Sequence, residues 1–307
     1  MGRTCLQTIN VGSDQLYNES LDMYLGQVNR EIDAFITMGG REILEGSVHE
    51  TSHKIILMDP LKHGLSYTPR FTTRWIAYRV YEKMLQRSQQ YCFLLYKHLS
   101  QQENLRSAAG WFFESYVHDR FRQGGTFRAD AIPIKEPGTL FDFTIKKSIS
   151  PAPNYFKSAE DLAKIVRDKH GKGIDPKQLQ QYFLPYSRNQ ASIDSLVFTD
   201  AHTLVMFQIT LATEHEIKVD GITELLRALP TTIRNIYIVF VIPDNRIQHY
   251  SKRQTMPGAT ALLPGCNKLH IKQFRLAFTD DQIKAVSAQG PFQLQEADMD
   301  QYSSSRI

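Results

Sequence analysis

The stretch Ser192–Pro243 constrains the fold more than any other part of the chain. It begins with two apolar runs of strand length, SIDSLVF and TLVMFQIT, which are joined by a short turn containing Asp200 and His202. A helix-like pattern covers Glu214–Leu229, and the almost wholly apolar run NIYIVFVIP follows it, as is typical of a strand that is covered on both faces. The stretch therefore predicts a hairpin, a crossover helix and a further strand.

Three polar side chains lie inside or beside these apolar runs. Asp194 precedes the apolar run of its strand, whereas Gln208 and Thr210 are two residues apart and share one face of theirs. A tight hairpin would bring all three together. Because an unbonded polar group on a buried face costs free energy, the set favours a functional face. The alternative is that Asp194 caps the hairpin and that Gln208 and Thr210 pair with one another.

The same residues resemble a nuclease family. A helix glutamate, a hairpin aspartate and a paired (Asp/Glu)-x-Lys form the pattern of the PD-(D/E)XK, or restriction-endonuclease-like, fold. Asp194 matches the aspartate, and Gln208-Ile209-Thr210 stands where Glu-x-Lys is expected. Upstream, the run AGWFFE that ends at Glu114 resembles the helix that carries the family glutamate.

The chain looks most like the nuclease domains of the Crinkler and retrotransposon-hot-spot type from fungi, oomycetes and other eukaryotes. The resemblance spans residues 105–243 and, more loosely, begins at His53. It implies an α/β fold in which helices flank a mixed sheet, preceded by a helical N-terminal region. On this basis, residues 1–100 are predicted to be mainly helical, residues 101–280 to form the nuclease-like domain, and residues 281–307 to form an acidic, disordered tail.

The resemblance also implies metal-dependent hydrolysis of phosphodiester bonds in DNA or RNA, with Mg²⁺ or Mn²⁺ as the cofactor. Glu114 and Asp194 would be metal ligands, and the carbonyl oxygen of Ile209 would add a third. Gln208 offers a neutral amide oxygen, which a hard cation accepts but which adds no charge. The departure from Glu-x-Lys therefore leaves open whether catalysis survives.

The catalytic cation of the family has no counterpart at Thr210, because a hydroxyl group cannot replace it. Lys218, which follows the strand closely, is the candidate to reach back with its long side chain. Its alternative is a solvated lysine on an exposed turn. His215 is a further candidate for handling a proton.

Positive charge is distributed unevenly along the chain. The net charge is only +4, but residues 60–125 contain ten Lys and Arg and four acidic residues. Arg79, Lys83 and Arg87 are spaced i, i+4 and i+8 and form a basic stripe on a predicted helix, and Arg188 precedes Asp194. All four are candidates for binding the phosphates of a nucleic acid. The alternatives are a solvated helix face for the stripe and a turn role for Arg188.

Composition excludes several classes of protein. The chain has 42% hydrophobic and 22% charged residues, which excludes wholesale disorder. Its three cysteines form no CxxC motif or disulfide framework, so a reducing compartment is expected. No apolar run is long enough to span a bilayer, and residues 1–20 lack the pattern of a secretory signal. The sequence thus predicts an intracellular protein without a membrane partner, and the nucleus is a candidate compartment.

The N-terminal third of the chain contains two further patterns. His49–His53 matches HExxH, but it runs into an apolar strand-like segment, which favours a loop over a zinc helix. The segment from His53 resembles the stretch that follows an ATPase domain in larger hot-spot-type proteins. No P-loop motif occurs in the chain, so we expect no ATP binding and a partial version of such a protein.

Periodicity predicts the remaining elements. An apolar stripe at helical spacing from Leu21 to Ile36 predicts an amphipathic helix that ends near Gly39-Gly40. Helices are also expected over Thr72–His98, Arg106–Phe121 and Asn154–Lys169, and strands over Phe127–Ile134, Thr139–Ile145 and, at the sheet edge, Leu269–Phe278.

Two functions from different classes remain open after these observations. The first is a divergent, metal-dependent nuclease. The second is a catalytically silent nuclease-like module that binds nucleic acid or a host protein, as an effector or a mobile-element remnant would.

Overall fold

The computed structural model describes residues 14–37, 55–60, 67–102, 105–133, 139–149, 154–186, 193–257 and 270–286. The chain divides into two compact units, Met1–Ser115 and Tyr116–Ile307. The division falls within a helix, fifteen residues beyond the boundary that the sequence predicts at residue 100.

The first unit combines helices with one small sheet. Its elements are α1 (Asp14–Thr37), β1 (Ile56–Pro60), β2 (Tyr67–Phe71), α2 (Arg74–Arg87), α3 (Gln89–Gln101) and the first part of α4 (Arg106–Arg122). The strands β1 and β2 pair antiparallel. Helix α1 buries Val28, Ile32, Phe35 and Ile36, which are residues of the predicted apolar stripe.

The single helix that the sequence predicts from Thr72 to His98 is two helices in the structure. Ser88 has extended backbone angles (φ −164°, ψ 114°) and separates α2 from α3. Its hydroxyl oxygen accepts the backbone N–H of Tyr91 at 3.2 Å, which caps the new helix. A serine in this position competes with the helical hydrogen bonds, and the apolar periodicity on either side does not reveal the break.

The second unit is an α/β structure with a mixed sheet. Its strands are β3 (Gly125–Ile132), β4 (Leu140–Ile145), β5 (Asn154–Phe156), β6 (Tyr182–Pro185), β7 (Ser195–Asp200), β8 (Thr203–Ile209), β9 (Asn235–Pro243) and β10 (His270–Phe278). The helices α5 (Ala159–Val166), α6 (Val219–Ala228) and α7 (Asp280–Lys284) complete it, with a 3-10 helix over Asp244–Ser251. The sheet has the order β4-β3-β10-β9-β8-β7-β6-β5. The predicted α/β class, with a mixed sheet and flanking helices, is confirmed.

Strands β7 and β8 form the predicted hairpin, and β9 runs parallel to β8 after the crossover helix α6. That helix is shorter than the predicted Glu214–Leu229, because it begins at Val219. The backbone N–H of Ile217 donates to the carbonyl oxygen of Thr255 at 3.0 Å. The residues before Val219 lie outside the helix, and this bond connects them to the segment after β9.

Strand β10 corrects a second expectation. The sequence predicts Leu269–Phe278 as an edge strand, but β10 lies inside the sheet. It pairs parallel with β9 and antiparallel with β3. The β3–β4 hairpin comes from far upstream and covers the outer side of β10, a pairing that neither segment signals in its own sequence.

The predicted helix over Asn154–Lys169 is also only partly correct. Its first residues form β5, which pairs parallel with β6. The helix α5 begins after Ser158, whose hydroxyl oxygen accepts the N–H of Asp161 at 3.2 Å.

Apolar side chains cover both faces of the central strands. On one face, Leu196, Phe198, Leu204 and Met206 join a buried cluster with residues of α5 and α6. On the other face, the ring of Phe207 lies 4.6 Å from that of Phe121 on α4. All seven residues of β8 are buried, as the apolar run predicts.

Within the described residues, no helix is long and apolar enough to cross a membrane. The start of the predicted acidic tail is helical, because Thr279 and Gln282 form a capping box for α7. Residues 287–307 lie outside the described residues.

Removing a buried side chain of α6 tests this packing. Leu225 is fully buried in the cluster below the sheet, so Leu225→Ala should lower the free energy of unfolding by about 2–5 kcal/mol. Glu224 is exposed on the same helix, and Glu224→Ala should change it by less than about 0.5 kcal/mol. Urea unfolding of both variants gives the comparison, and equal effects would contradict the assigned packing of α6.

Candidate functional site

Asp194 and Gln208 face each other at the open end of the β7–β8 hairpin. Ser195 lies opposite Phe207 in the register, and the backbone N–H of Asp194 donates to the carbonyl oxygen of Phe207 at 2.9 Å. The Oδ2 atom of Asp194 accepts the side-chain amide of Gln208 at 2.8 Å and the backbone N–H of Ile209 at 2.7 Å. The carboxylate thus fastens the start of β7 to the end of β8.

This pairing leaves acceptor atoms without donors. A carboxylate has no proton to give, so Gln208 turns its NH₂ group towards Asp194 and its carbonyl oxygen away. Gln208 is only 8% exposed, and its Oε1 atom has no hydrogen-bond partner among the described residues. The Oδ1 atom of half-buried Asp194 has no hydrogen bond to the described residues either. A buried, unsatisfied polar group costs roughly 1–3 kcal/mol, so the Oε1 atom of Gln208 needs an explanation.

Thr210 does not join this pair. It follows the last residue of β8, and its backbone N–H donates to the carbonyl oxygen of Val241 at 3.0 Å. Its hydroxyl oxygen accepts the N–H of Ala212 at 3.0 Å. Thr210 therefore shapes the turn after the strand, and Gln208 bonds to Asp194 instead of to Thr210.

The loop from Leu211 to Lys218 is held by a segment some forty residues away. Arg246 donates to the carbonyl oxygen of Leu211. The hydroxyl group of Tyr250 donates to the carbonyl oxygen of Ala212 at 3.3 Å. Burial raises the pKa of Tyr250 to about 12, so this hydroxyl keeps its proton. The loop is thereby fixed over the end of β8, although it has no regular secondary structure.

His215 lies in this loop, next to the pair formed by Asp194 and Gln208. Its ring is 6.4 Å from that of Phe240, which is the β9 neighbour of Gln208 in the sheet register. Neither ring nitrogen of His215 has a hydrogen bond to the described residues. Burial lowers the pKa of His215; Asp194 opposes this effect and Lys218 adds to it. His215 is therefore kept neutral near pH 7.

Lys218 is the last residue before α6, and its exposed side chain makes no capping bond to that helix. Its influence on the pKa of His215 shows that the ammonium group is within electrostatic reach of the imidazole. The structure thus groups Asp194, Gln208, His215 and Lys218 at the carboxyl end of β8.

Three other predicted site residues keep their roles as predictions. Glu114 is half-buried on α4 in the first unit. The backbone N–H of Ile209 donates to Asp194. That the carbonyl oxygen of Ile209 is a metal ligand stays a prediction, as does the metal-binding role of Glu114. Arg188 lies outside the described residues.

The basic stripe of α2 contacts acidic side chains within the first unit. Arg79 pairs with Glu82 of the same helix, and Lys83 donates to Asp33 of α1 at 2.7 Å. Arg87 approaches the same carboxylate, at 3.7 Å. The side chain of Lys83 is 19% exposed and that of Arg87 is 49% exposed, so a phosphate would have to compete with Asp33 for the lysine. The stripe helps to hold α1 against α2, and its role in binding nucleic acid stays a prediction.

A preformed cage for a metal is not found in the part of the chain that the structure describes. No three or more His, Cys, Asp or Glu side chains there are grouped to hold an ion. A cation at Asp194 would have one carboxylate, and neutral oxygens or a substrate phosphate would supply the remaining ligands. The HExxH match at His49–His53 lies outside the described residues.

Sequence reasoning missed two residues near this site. Gln254 accepts the backbone N–H of His215 at 2.9 Å through its side-chain oxygen. Gln273 of β10 in turn bonds to the backbone of Gln254. No motif or periodicity marks either glutamine, because only the folded chain brings them to His215.

Truncating Asp194 should destabilise the hairpin. Asp194→Ala leaves the amides of Gln208 and Ile209 without an acceptor, so the free energy of unfolding should fall by about 2–4 kcal/mol. Asp194→Asn keeps one acceptor oxygen and should cost less. The exposed Glu216 provides the control Glu216→Ala. If urea unfolding gives the same free energy of unfolding for Asp194→Ala and Glu216→Ala, Asp194 does not stabilise the pairing of β7 with β8.

The lowered pKa of His215 predicts a pH dependence of stability. The unfolded chain takes up the proton near the ordinary pKa of 6.5, and the folded chain does so only at lower pH. The contribution of neutral His215 is therefore present above pH 6.5 and is lost as the pH falls towards the folded-state pKa. From about pH 7.5 to about pH 5, wild type should lose more stability than His215→Gln. His249→Gln, at an exposed position, should follow wild type; identical pH profiles for His215→Gln and wild type would contradict the burial of this ring.

Comparison with protein-family models, curated proteins and solved structures finds no match to this chain. The residues grouped at the carboxyl end of β8 are therefore the basis for proposing a function.

Proposed function

We propose that the second unit is a divergent PD-(D/E)XK-like nuclease domain that hydrolyses phosphodiester bonds of nucleic acid with a divalent cation. One observation carries the proposal. The buried Oε1 atom of Gln208 has no hydrogen-bond partner among the described residues, and the half-buried side chains of Asp194 and His215 lie beside it at the end of β8. Such a buried atom is rare in folded proteins, and titratable side chains beside it favour a site that is completed by a ligand.

The order of the elements and the place of the site in the sheet also support this proposal. The hairpin, the crossover helix and the parallel strand β9 follow one another as the apolar runs of the sequence predict. The site lies where β8 ends, beside two parallel strands, and ligands of α/β proteins commonly bind at the carboxyl ends of such strands.

The oxygen atoms present suit a hard cation. Asp194 is half-buried and has an acceptor atom without a donor, so it can be both a charged ligand and accessible. Gln208 and Ile209 would offer neutral oxygens. When bound, Mg²⁺ or Mn²⁺ would neutralise charge on the phosphate and lower the pKa of a coordinated water.

His215 and Lys218 would supply the remaining chemistry. His215 is neutral near pH 7 because burial lowers its pKa, so it can accept a proton from the attacking water. Lys218 can stabilise the negative charge that develops on the phosphate, since its ammonium is within electrostatic reach of His215. These roles replace the missing lysine of Glu-x-Lys with residues from the loop that follows.

A second candidate, a catalytically silent binding module, is favoured by a different observation. The donors of Gln208 and Ile209 already occupy one oxygen of Asp194, which makes the carboxylate a structural cap of the hairpin. Among the described residues, no three or more His, Cys, Asp or Glu side chains are grouped so that they could hold a metal ion. In this case the chain binds nucleic acid or a host protein without cleaving it.

Cleavage assays separate the two functions. Wild type should cut plasmid, single-stranded DNA or RNA with Mg²⁺ or Mn²⁺ and lose activity with chelator. Asp194→Asn should lower kcat by about a hundredfold or more, because one oxygen ligand and the negative charge are lost. Lys218→Ala should lower kcat by about a hundredfold with substrate affinity nearly unchanged.

The matched control is Lys177→Ala, which removes an exposed lysine from a 3-10 helix elsewhere in the unit. If Asp194→Asn abolishes cleavage and Lys218→Ala changes the rate by less than about threefold, as Lys177→Ala does, Lys218 is a solvated lysine. Absence of metal-dependent cleavage by wild type on all three substrates would reject the nuclease in favour of the silent module.

A further inference from the structure

Two buried glutamines connect β10 to the loop that carries His215. Gln273 is 2% exposed and Gln254 is 8% exposed. The backbone N–H of Gln254 donates to Oε1 of Gln273 at 2.7 Å, and Nε2 of Gln273 donates to the carbonyl oxygen of Gln254 at 2.9 Å. The side-chain oxygen of Gln254 then accepts the backbone N–H of His215 at 2.9 Å. These bonds form a continuous chain from the sheet to the loop.

The sheet does not need an amide at position 273 for packing. Gln273 lies on the face of β10 that is next to Ile238 of β9 and Ile132 of β3, both members of the apolar cluster. A methionine there would fill a similar volume without needing partners, whereas a buried amide is costly unless it is bonded. A fully bonded amide gives directional specificity that apolar packing lacks.

Arg246, Tyr250 and Thr255 hold the loop at Leu211, Ala212 and Ile217, whereas Gln254 holds it at His215 itself. Between the end of β8 and the start of α6 it has no regular secondary structure. Without Gln254, the backbone N–H of His215 would have no acceptor among the described residues. The bond to Gln254 fixes the backbone of His215, and the ring then lies against Phe240.

We propose that Gln254 and Gln273 are positioning residues that hold His215 over the end of β8. The proposal rests on the proposed function for the role of His215 in catalysis, but the positioning itself is a property of the folded chain. A small displacement of a proton acceptor is enough to reduce turnover strongly, so residues that never touch the substrate can govern the rate.

Amide hydrogen exchange in the wild-type protein gives the first test. The amide of His215 lies in a loop, yet its bond to a buried side chain should slow exchange by about a hundredfold or more relative to an unprotected amide. The amide of exposed Glu214 in the same loop is the comparison. Exchange of His215 at the unprotected rate would overturn the proposal, whatever the enzyme does.

Variants give the second test. Gln254→Met removes the acceptor, so exchange at His215 should accelerate by at least about tenfold and the imidazole pKa, followed by NMR, should rise towards its ordinary value. Gln254→Glu keeps the acceptor oxygen and should keep the amide protected. Gln273 contacts His215 only through Gln254, so Gln273→Met should raise the exchange rate and the imidazole pKa of His215 by less than Gln254→Met does. Gln248→Met, at an exposed position, is the control and should change neither quantity.

Cleavage kinetics then connect position to function. Gln254→Met should lower kcat by about tenfold to a hundredfold with KM nearly unchanged, and Gln254→Glu should restore part of the loss. If Gln254→Met leaves both the exchange of His215 and its titration unchanged, the positioning role is wrong. If wild type does not cleave, the nuclease proposal fails, and the exchange and titration results still decide whether the glutamines position His215.

Discussion

Strands β8 and β9 are buried on both faces, and the structure of the second unit depends on this burial. Every residue of β8 is buried, and most of β9 is as well. Such strands stabilise the sheet through apolar contacts, but they tolerate a polar side chain only where it is bonded or has a function. Gln208 is the exception in β8, and its amide is only half satisfied. Because the rest of β8 is buried and apolar around it, the half-satisfied amide of Gln208 marks the carboxyl end of β8 as the candidate site.

The surroundings of Gln208 combine a structural and a chemical role. Asp194 fastens the open end of the hairpin through one oxygen and has a second oxygen without a donor. The next loop would have no fixed course by itself, but bonds from the segment after β9 hold it over this end. A neutral imidazole is thereby placed beside the carboxylate, and the charge of Lys218 acts on that imidazole. Proton transfer and charge stabilisation both need such preorganised groups.

The basic stripe of α2 was located correctly from its spacing, but its spacing did not predict what it contacts. The spacing of Arg79, Lys83 and Arg87 places them on one side of α2, and the structure has them there. Asp33, the partner of Lys83 and Arg87, lies about fifty residues upstream on α1. Spacing within a helix determines which side chains share a face, but it carries no information on what that face contacts.

The sequence by itself determined the α/β class, the hairpin, the crossover and the burial of the central strands, because period-two and apolar patterns are local properties of the chain. It also selected Asp194 and Gln208, since polar residues interrupt those patterns. Tertiary structure alone decided that β10 lies inside the sheet, that α6 begins only at Val219, and that Gln254 and Gln273 lie beside His215. Each of these depends on hydrogen bonds between segments far apart in the chain. Such bonds leave no periodic signal in either partner, so only the folded protein reveals them.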